Sequence, residues 1–434
     1  MIVSKFGGSS VADADQIRKV AAILKADENR TVVVVSAPGK RSKTDTKVTD
    51  MLYECDAQVR RGVACDELFA QVALRFTSIA KDLGLPENIL DEALAEVGHH
   101  ISVGFGPDYA ASRGEYLSGR LIAAYMNWTF LEPQDLVLIN ENGTVADETY
   151  AKIAAMVKEG GRYVFPGFYG STADGKVKTF SRGGSDISGS IVARAIGAAL
   201  YENWTDVSGV FMADPRLIAD AKVITRMSYR EVRELAAVGF SVFHEEAIAP
   251  VRDAGIPIQV KNTNKPQDAG TSIVSSREGA DDPIVGVTGK SGYGRLSVQK
   301  LLLFKRPGIR HLMETTLKTL GIAPEFTLTG IDSIVWFFPI AQVAGGSISS
   351  IGTLLTNEFA LDDVHCDSGY AITAITGEGL RKSKRLSGMI GSLLEKNIEV
   401  EFVNLGASPI TCLVGVPETQ MQTAVAALYD SLIR

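Results

Sequence analysis

The 434-residue sequence reads as an α/β protein: a parallel-rich sheet sandwiched by helices, then two smaller modules of strand-helix-strand-strand pattern. Three observations carry that reading. Thr31-Val32-Val33-Val34-Val35-Ser36 is an unbroken apolar run closed by Pro38-Gly39, as expected of a strand buried on both faces of a parallel sheet. Strand and helix periodicities then alternate to about residue 262. Past residue 285 the pattern changes to two successive rounds of a short mixed motif. The predicted domains are 1–285, 286–360 and 361–434, consistent with about three domains for this length.

The chain opens with a strand, Ile2 to Phe6, a glycine loop, Gly7-Gly8-Ser9-Ser10, and a helix from Asp13 with Ile17, Val20, Ala21 and Leu24 at helical spacing. Helical patterns follow over Val48 to Arg60, Cys65 to Asp82, Glu87 to Val97 and Ala110 to Asn127. Strands are predicted at Asp135 to Asn140 and Tyr163 to Phe168, then a helix from Ile187 to Leu200 and a strand from Ile256 to Val260. The turn-rich stretches Asn262 to Gly270 and Arg277 to Pro283 bracket the end of this unit. The first module comprises strand Leu296 to Phe304, helix Gly308 to Leu320 and strands Phe326 to Thr329 and Ile334 to Phe338. The second comprises strand Tyr370 to Thr376, helix Leu386 to Glu395, strands Glu399 to Asn404 and Thr411 to Val416, and helix Gln420 to Leu432.

Composition excludes several classes. Apolar residues at 45% and charged residues at 22% rule out a disordered chain, and a formal charge of −7 disfavours a phosphate-tracking nucleic-acid surface. The longest apolar runs, Val32 to Val35 and Leu301 to Phe304, are too short to cross a bilayer. Met1 to Lys5 enters a strand with no basic leader or cleavage site, so the expected location is the cytoplasm. Cys55, Cys65, Cys366 and Cys412 form no C-x-x-C pair, which excludes a disulfide framework and a cysteine zinc site. No metal motif replaces it. In His244-Glu245-Glu246, Ile248 stands where a second zinc histidine is needed, so His244 reads as structural. Gly170 to Lys176 approaches a Walker loop but is followed by Val177 rather than Ser or Thr, so Asp174-Gly175 reads as a hairpin turn. What remains is a small-molecule enzyme.

Three segments hold candidate chemistry. Lys5 followed by Gly7-Gly8-Ser9 suits backbone approach to phosphate oxygens, although a tight strand-to-helix turn has the same residues. Arg182-Gly183-Gly184-Ser185-Asp186 joins a strand to a strongly apolar helix. Arg182 offers a planar fork for a carboxylate and Asp186 lies in the first helical turn, where it equally suits the helix dipole. Trp204-Thr205-Asp206-Val207 through Phe211 to Asp214-Pro215-Arg216 reads either as a nucleotide site with an aromatic wall or as ordinary turns.

As an ordered set, Lys5-Phe6-Gly7-Gly8-Ser9-Ser10-Val11, Ser112-Arg113-Gly114-Glu115, Gly167-Phe168, Arg182 to Asp186, Trp204 to Val207 and Asp214 to Arg216 resembles the amino acid kinase family in its aspartate kinase branch. The resemblance covers nearly the whole chain. Its C-terminal modules are similar to paired ACT domains, with Gly377-Glu378-Gly379 at the second module's turn, and an end at Arg434 resembles the monofunctional form.

The resemblance implies transfer of the γ-phosphoryl group of ATP, with Mg²⁺, to the β-carboxylate of L-aspartate. Lys5 and Asp186 would be catalytic. Thr49, Glu115, Phe168, Arg182 and Ser185 would bind aspartate, with Arg182 on a carboxylate and Glu115 on the α-ammonium. Lys5, Gly7, Gly8, Ser9, Thr205, Asp206, Phe211 and Arg216 would hold the nucleotide. Lysine, threonine or both would be effectors, with Glu325 and Asp332 as ammonium partners, in a homo-oligomer formed through the ACT modules.

Three positions depart from the family. Ser241 replaces a common ATP-site Lys, with Lys178 and Lys261 as candidate substitutes; the loop from Ser36 to Thr49 is long; and Ala323-Pro324-Glu325 and Gly330-Ile331 replace the usual effector-pocket residues. Two other functions compete. Another carboxylate or carbamate kinase of this fold is not expected to combine Glu115 with two ACT modules. A non-catalytic ACT sensor is expected to lack Lys5, Arg182 or Asp186, and all three are present.

Overall fold

The computed structural model describes all residues except 182, 241–244, 278–282 and 344–347. The chain forms two compact units, one of Met1–Phe211, Val223–Ala236 and Ser241–Arg277, the other of Met212–Lys222, Ala237–Phe240 and Glu278–Arg434. Among the described residues, no helix is long and apolar enough to cross a membrane.

The strands of the first unit are β1 (Ile2–Phe6), β2 (Arg30–Val35), β3 (Thr129–Phe130), β4 (Tyr163–Pro166), β5 (Tyr169–Ser171), β6 (Val177–Thr179), β7 (Leu200–Thr205), β8 (Val210–Phe211), β9 (Val223–Ile224), β10 (Arg226–Ser228), β11 (Ile258–Asn262) and β12 (Thr271–Val274). Eight of them make one sheet in the order β10-β12-β11-β7-β1-β2-β4-β3, parallel except between β11 and β12. Val32 to Val35 are fully buried, as the apolar run requires of a strand covered on both faces. The helix Ala14–Lys25 buries the predicted stripe Ile17, Val20, Ala21 and Leu24, and Asp13 caps it by accepting from the Gln16 N–H at 2.9 Å.

Strands β5 and β6 form the expected hairpin across Asp174-Gly175. Two predictions are corrected. The helix placed at Ile187 to Leu200 spans Gly184–Ala195; Gly197, at φ 57°, ends it, and Leu200 begins β7. The strand placed at Asp135 to Asn140 is a short helix, Pro133–Leu136, started by proline at its first position and followed by isolated bridges at Leu138 and Ile139.

The second unit carries β13 (Gly286–Gln299), β14 (Phe326–Thr329), β15 (Ser333–Pro339), β16 (Asp363–Thr376), β17 (Phe402–Asn404) and β18 (Thr411–Pro417) in one antiparallel sheet, ordered β14-β15-β13-β16-β18-β17. Strands β13 and β16 pair from Gly286↔Thr376 to Gln299↔Asp363, so the two predicted modules share a single sheet. Helices Ile309–Thr319 and Ile348–Phe359 pack over Leu296, Val298, Trp336 and Phe338 on one face, while Tyr293, Phe337 and Tyr370 lie on the other.

The strand predicted at Leu296 to Phe304 is displaced. β13 ends at Gln299, and the run beyond it turns through a 3-10 segment in which Leu301 and Phe304 lie 68% and 61% exposed while Leu303 alone of the run is buried in the core. The helix Ile348–Phe359 is an addition to the predicted elements.

Candidate active site

Strands β1, β2, β4 and β7 run in parallel, so their C-terminal ends open on one edge, and at β1 the chain first adds strands on one side and later on the other. Such a switch point leaves a crevice in which ligands of open α/β sheets bind. Lys5 and Asn203 are register partners there, on β1 and β7. The Lys5 Nζ lies 2.6 Å from Asp186 Oδ1 and is only 9% exposed along its side chain. Asn203 Nδ2 donates to the same carboxylate oxygen at 2.7 Å, and the Tyr201 hydroxyl donates to the Asp186 carbonyl at 3.1 Å. Asp186 is thus fixed from three sides in the first turn of its helix.

The glycine loop sits beside this pair. Gly7 N–H donates to the Trp204 carbonyl at 3.1 Å, and Gly8–Val11 turns as a 3-10 segment that leaves Ser9 exposed. Gly8 packs on the segment after β2: Gly39 N–H donates to the Gly8 carbonyl at 2.8 Å, and a Cβ on Gly39 would fall 2.7 Å from the Gly8 carbonyl carbon. Only glycine permits that approach.

Glu115 lies on the helix Pro107–Met126 with 5% exposure. Burial pushes its carboxyl up to about 8, although the Ala37 N–H hydrogen bond, the nearby Arg113 charge and the Lys5 charge favour ionisation. Its Oε2 is buried without a hydrogen-bond partner. An unsatisfied buried carboxyl oxygen beside a lysine-aspartate pair is a receptor for a cation.

Phe168 adopts φ 80°, a conformation costing about 1–3 kcal/mol for a non-glycine residue. Its N–H is held by Ser188 Oγ at 2.9 Å and its carbonyl by Phe180 N–H at 2.9 Å. Ser185 is buried at the start of the same helix as Asp186. Thr49 is half-buried in the helix Val48–Arg60, which crosses the Glu115 helix at Gly114, against Val48 and Leu52.

The nucleotide candidates divide. Thr205 and Asp206 close β7, where the Thr205 hydroxyl donates to Asp206 at 3.2 Å, and Phe211 is half-buried in β8. Arg216 belongs to the segment Met212–Lys222 of the second unit, exposed and paired with Asp214 at 2.6 Å. Arg182, Ser241 and His244 lie outside the described residues. Of the candidate substitutes for the absent lysine, Lys178 pairs with Asp108 at 3.2 Å, whereas Lys261 lies over the Trp204 ring, 5.3 Å from its centroid. In the second unit the Glu325 carboxylate takes Lys290 Nζ at 2.8 Å and the Tyr293 hydroxyl, while Asp332 Oδ1 is buried without a partner.

Sequence reasoning missed Asn203, Tyr201 and the Ala37–Gly39 support. Asn203 had a readable signal: Glu202-Asn203 are polar residues inside an otherwise apolar strand, where burial demands partners. Glu202 finds them in Ser4, Arg30 and Trp204.

The fold and this site define a phosphotransferase for small molecules. The amino acid kinase family model matches residues 1–262, and the chain belongs to that family. It is 35% identical to Aspartokinase 3 of Bacillus subtilis (strain 168), across 99% of this chain and 98% of that one. The crystal structure of Clostridium acetobutylicum aspartate kinase superposes with a TM-score of 0.90 at 38% identity, covering 99% of each chain. Escherichia coli aspartokinase III in complex with aspartate and ADP shares the fold, with a TM-score of 0.78 at 23% identity and full coverage of both chains.

Proposed function

We propose that this chain is an aspartate kinase that forms 4-phospho-L-aspartate and ADP from L-aspartate and MgATP. The observation that carries this reading is the pair of buried Lys5 with Asp186 beside the unpartnered Oε2 of Glu115 at the C-terminal edge of the sheet. In this reading Lys5 and the N–H groups of Gly8 and Ser9 receive the negative charge of the transferring phosphoryl group, while Gly7, whose N–H is taken by the Trp204 carbonyl, shapes the loop beside them. Asp186, held by Asn203 and Tyr201, keeps the Lys5 ammonium on line. Glu115 answers the α-ammonium of aspartate and Arg182 a carboxylate, with Thr49, Phe168 and Ser185 lining the pocket. Thr205, Asp206 and Phe211 hold the nucleotide, and Lys261 supplies the phosphate contact that Ser241 does not. The attacking β-carboxylate is ionised at neutral pH, so no general base is needed; positioning and charge neutralisation suffice. Mg²⁺ enters with the nucleotide as part of the substrate.

A coupled assay of ADP release tests the reading with aspartate, glutamate and N-acetylglutamate as acceptors. Aspartate is expected to be used selectively. Equal turnover of glutamate would replace aspartate kinase with a broader carboxylate kinase.

The second unit suits amino-acid sensing in a cytoplasmic homodimer assembled through its ACT-type sheets, with lysine, threonine or both as effectors. Asp332 is the better partner for an effector ammonium, because its Oδ1 is unpaired, whereas a ligand at Glu325 must displace Lys290. An effector that prefers an inactive arrangement by a typical 1–3 kcal/mol changes substrate affinity about 5–150-fold. Titrating the full chain with each amino acid and with both should therefore shift the aspartate KM. If neither KM nor melting temperature moves, the sheets serve assembly alone.

A further inference from the structure

The segment 36–47 links β2 to the helix Val48–Arg60 and supports both halves of the candidate site: the Ala37 N–H bonds the Glu115 carboxyl, and Gly39 packs on Gly8. Something must hold this segment in place, since residues 40–44 are exposed. Arg75, on the helix Asp66–Asp82, is buried with 7% exposure and reaches across to it. Its Nη2 donates to the Gly39 carbonyl at 2.9 Å and to Asp45 Oδ2 at 2.8 Å. Asp45 is clasped in turn by Arg41, whose Nε and Nη2 lie 3.0 Å and 3.1 Å from its two oxygens and whose N–H donates at 2.9 Å. These bonds hold the Asp45 carboxyl below its usual range.

We propose that Arg75 is a positioning residue for phosphoryl transfer. Its guanidinium ties Gly39 and Asp45 together and thereby sets the height of the Gly8 and Ser9 N–H groups under the nucleotide phosphates. A planar guanidinium bridges two acceptors at fixed angles, which a lysine ammonium on a flexible stem does not. The arrangement is costly, because Arg75 Nε and Nη1 are buried without partners and forfeit the hydrogen bonds they would make in water. Arg75 touches neither nucleotide nor aspartate in this scheme and acts through the Gly39–Gly8 contact.

The proposal rests on the kinase reading, and its test separates the two. The full-length protein and its Arg75→Ala, Arg75→Lys and Asp45→Ala variants would be compared in kcat, KM for each substrate, melting temperature and MgADP affinity by calorimetry. A misplaced phosphate loop costs on the order of 100-fold in rate. Arg75→Ala is expected to lose that much kcat and to bind MgADP several-fold more weakly, with partial recovery on adding millimolar guanidinium. Arg75→Lys should not recover, and Asp45→Ala, in a peripheral loop, should show the same losses to a smaller degree. MgADP affinity reads the loop even if the acceptor is not aspartate, so failure of the kinase reading leaves this measurement standing. The proposal is overturned if Arg75→Ala lowers only the melting temperature while kcat and MgADP affinity stay within twofold. Should that variant not fold, unchanged kcat and MgADP affinity in Asp45→Ala overturn it equally.

Discussion

Lys5→Ala and Asp186→Ala variants are expected to fold, bind aspartate and turn over hundreds-fold more slowly. The magnitude follows from the site. One preorganised electrostatic group aimed at developing charge contributes about 3–4 kcal/mol, and Lys5 is the buried cation of the glycine-loop edge. Asp186 does not need to touch the phosphoryl group to matter. At 2.6 Å from the Lys5 Nζ, and fixed by Asn203, it holds the ammonium in one place; without it the lysine loses its orientation. The two residues act as a unit, so the double variant should lose little more than either single one. Steady-state kinetics of the three proteins, with circular dichroism to verify folding, give the answer. Near-normal turnover in a folded single variant would remove these residues from the chemistry.

Glu115→Ala and Arg182→Ala are expected to weaken aspartate by about 2–5 kcal/mol, leaving ATP nearly unaffected, because each would answer one pole of the amino acid and its loss leaves a buried charge unpaired. Parallel rises in both KM values would count against the assignment. Glu115 adds a pH signature. With its carboxyl pushed up to about 8, the free protein holds it protonated at neutral pH, whereas an arriving ammonium favours the carboxylate. Aspartate binding should then release a proton below pH 8, and affinity should rise between about pH 6 and 8 by up to tenfold per unit before levelling off. Calorimetry in buffers of different ionisation enthalpy counts that proton. Stability has the opposite slope. The folded value lies above the ordinary 4.5, so the native state binds more protons than the unfolded one between these limits. The contribution of Glu115 to stability is complete below about 4.5 and is lost as pH rises through 8. A Glu115→Gln variant should therefore gain on the parent protein as pH increases, with neither the proton release nor the affinity slope.

Features set by near neighbours in the chain were open to a reader of the sequence alone. The buried β2, the stripe on the first helix, the turn at Asp174-Gly175 and the strand-to-glycine-loop junction after Lys5 each follow from spacing over a few residues, and the fold preserves them. The helix Ile348–Phe359 escaped because Ile351 and Leu355, its buried core residues, are set among Ser, Gly and Thr, which blur helical periodicity. The first half of β16, Asp363 to Gly369, is polar and partly exposed; it is a strand because β13 supplies a hydrogen-bonding partner, and no local pattern encodes that partner. The same division runs through the candidate site. Sequence motifs named Lys5, Glu115 and Asp186 but not their states. The 2.6 Å ion pair depends on bringing positions 5, 186 and 203 to one sheet edge, and the neutral carboxyl of Glu115 depends on burial by segments distant in the chain. Periodicity and turn chemistry are local and travel with the sequence, whereas desolvation, register and the grip of Arg75 on Gly39 exist only once the chain has closed on itself.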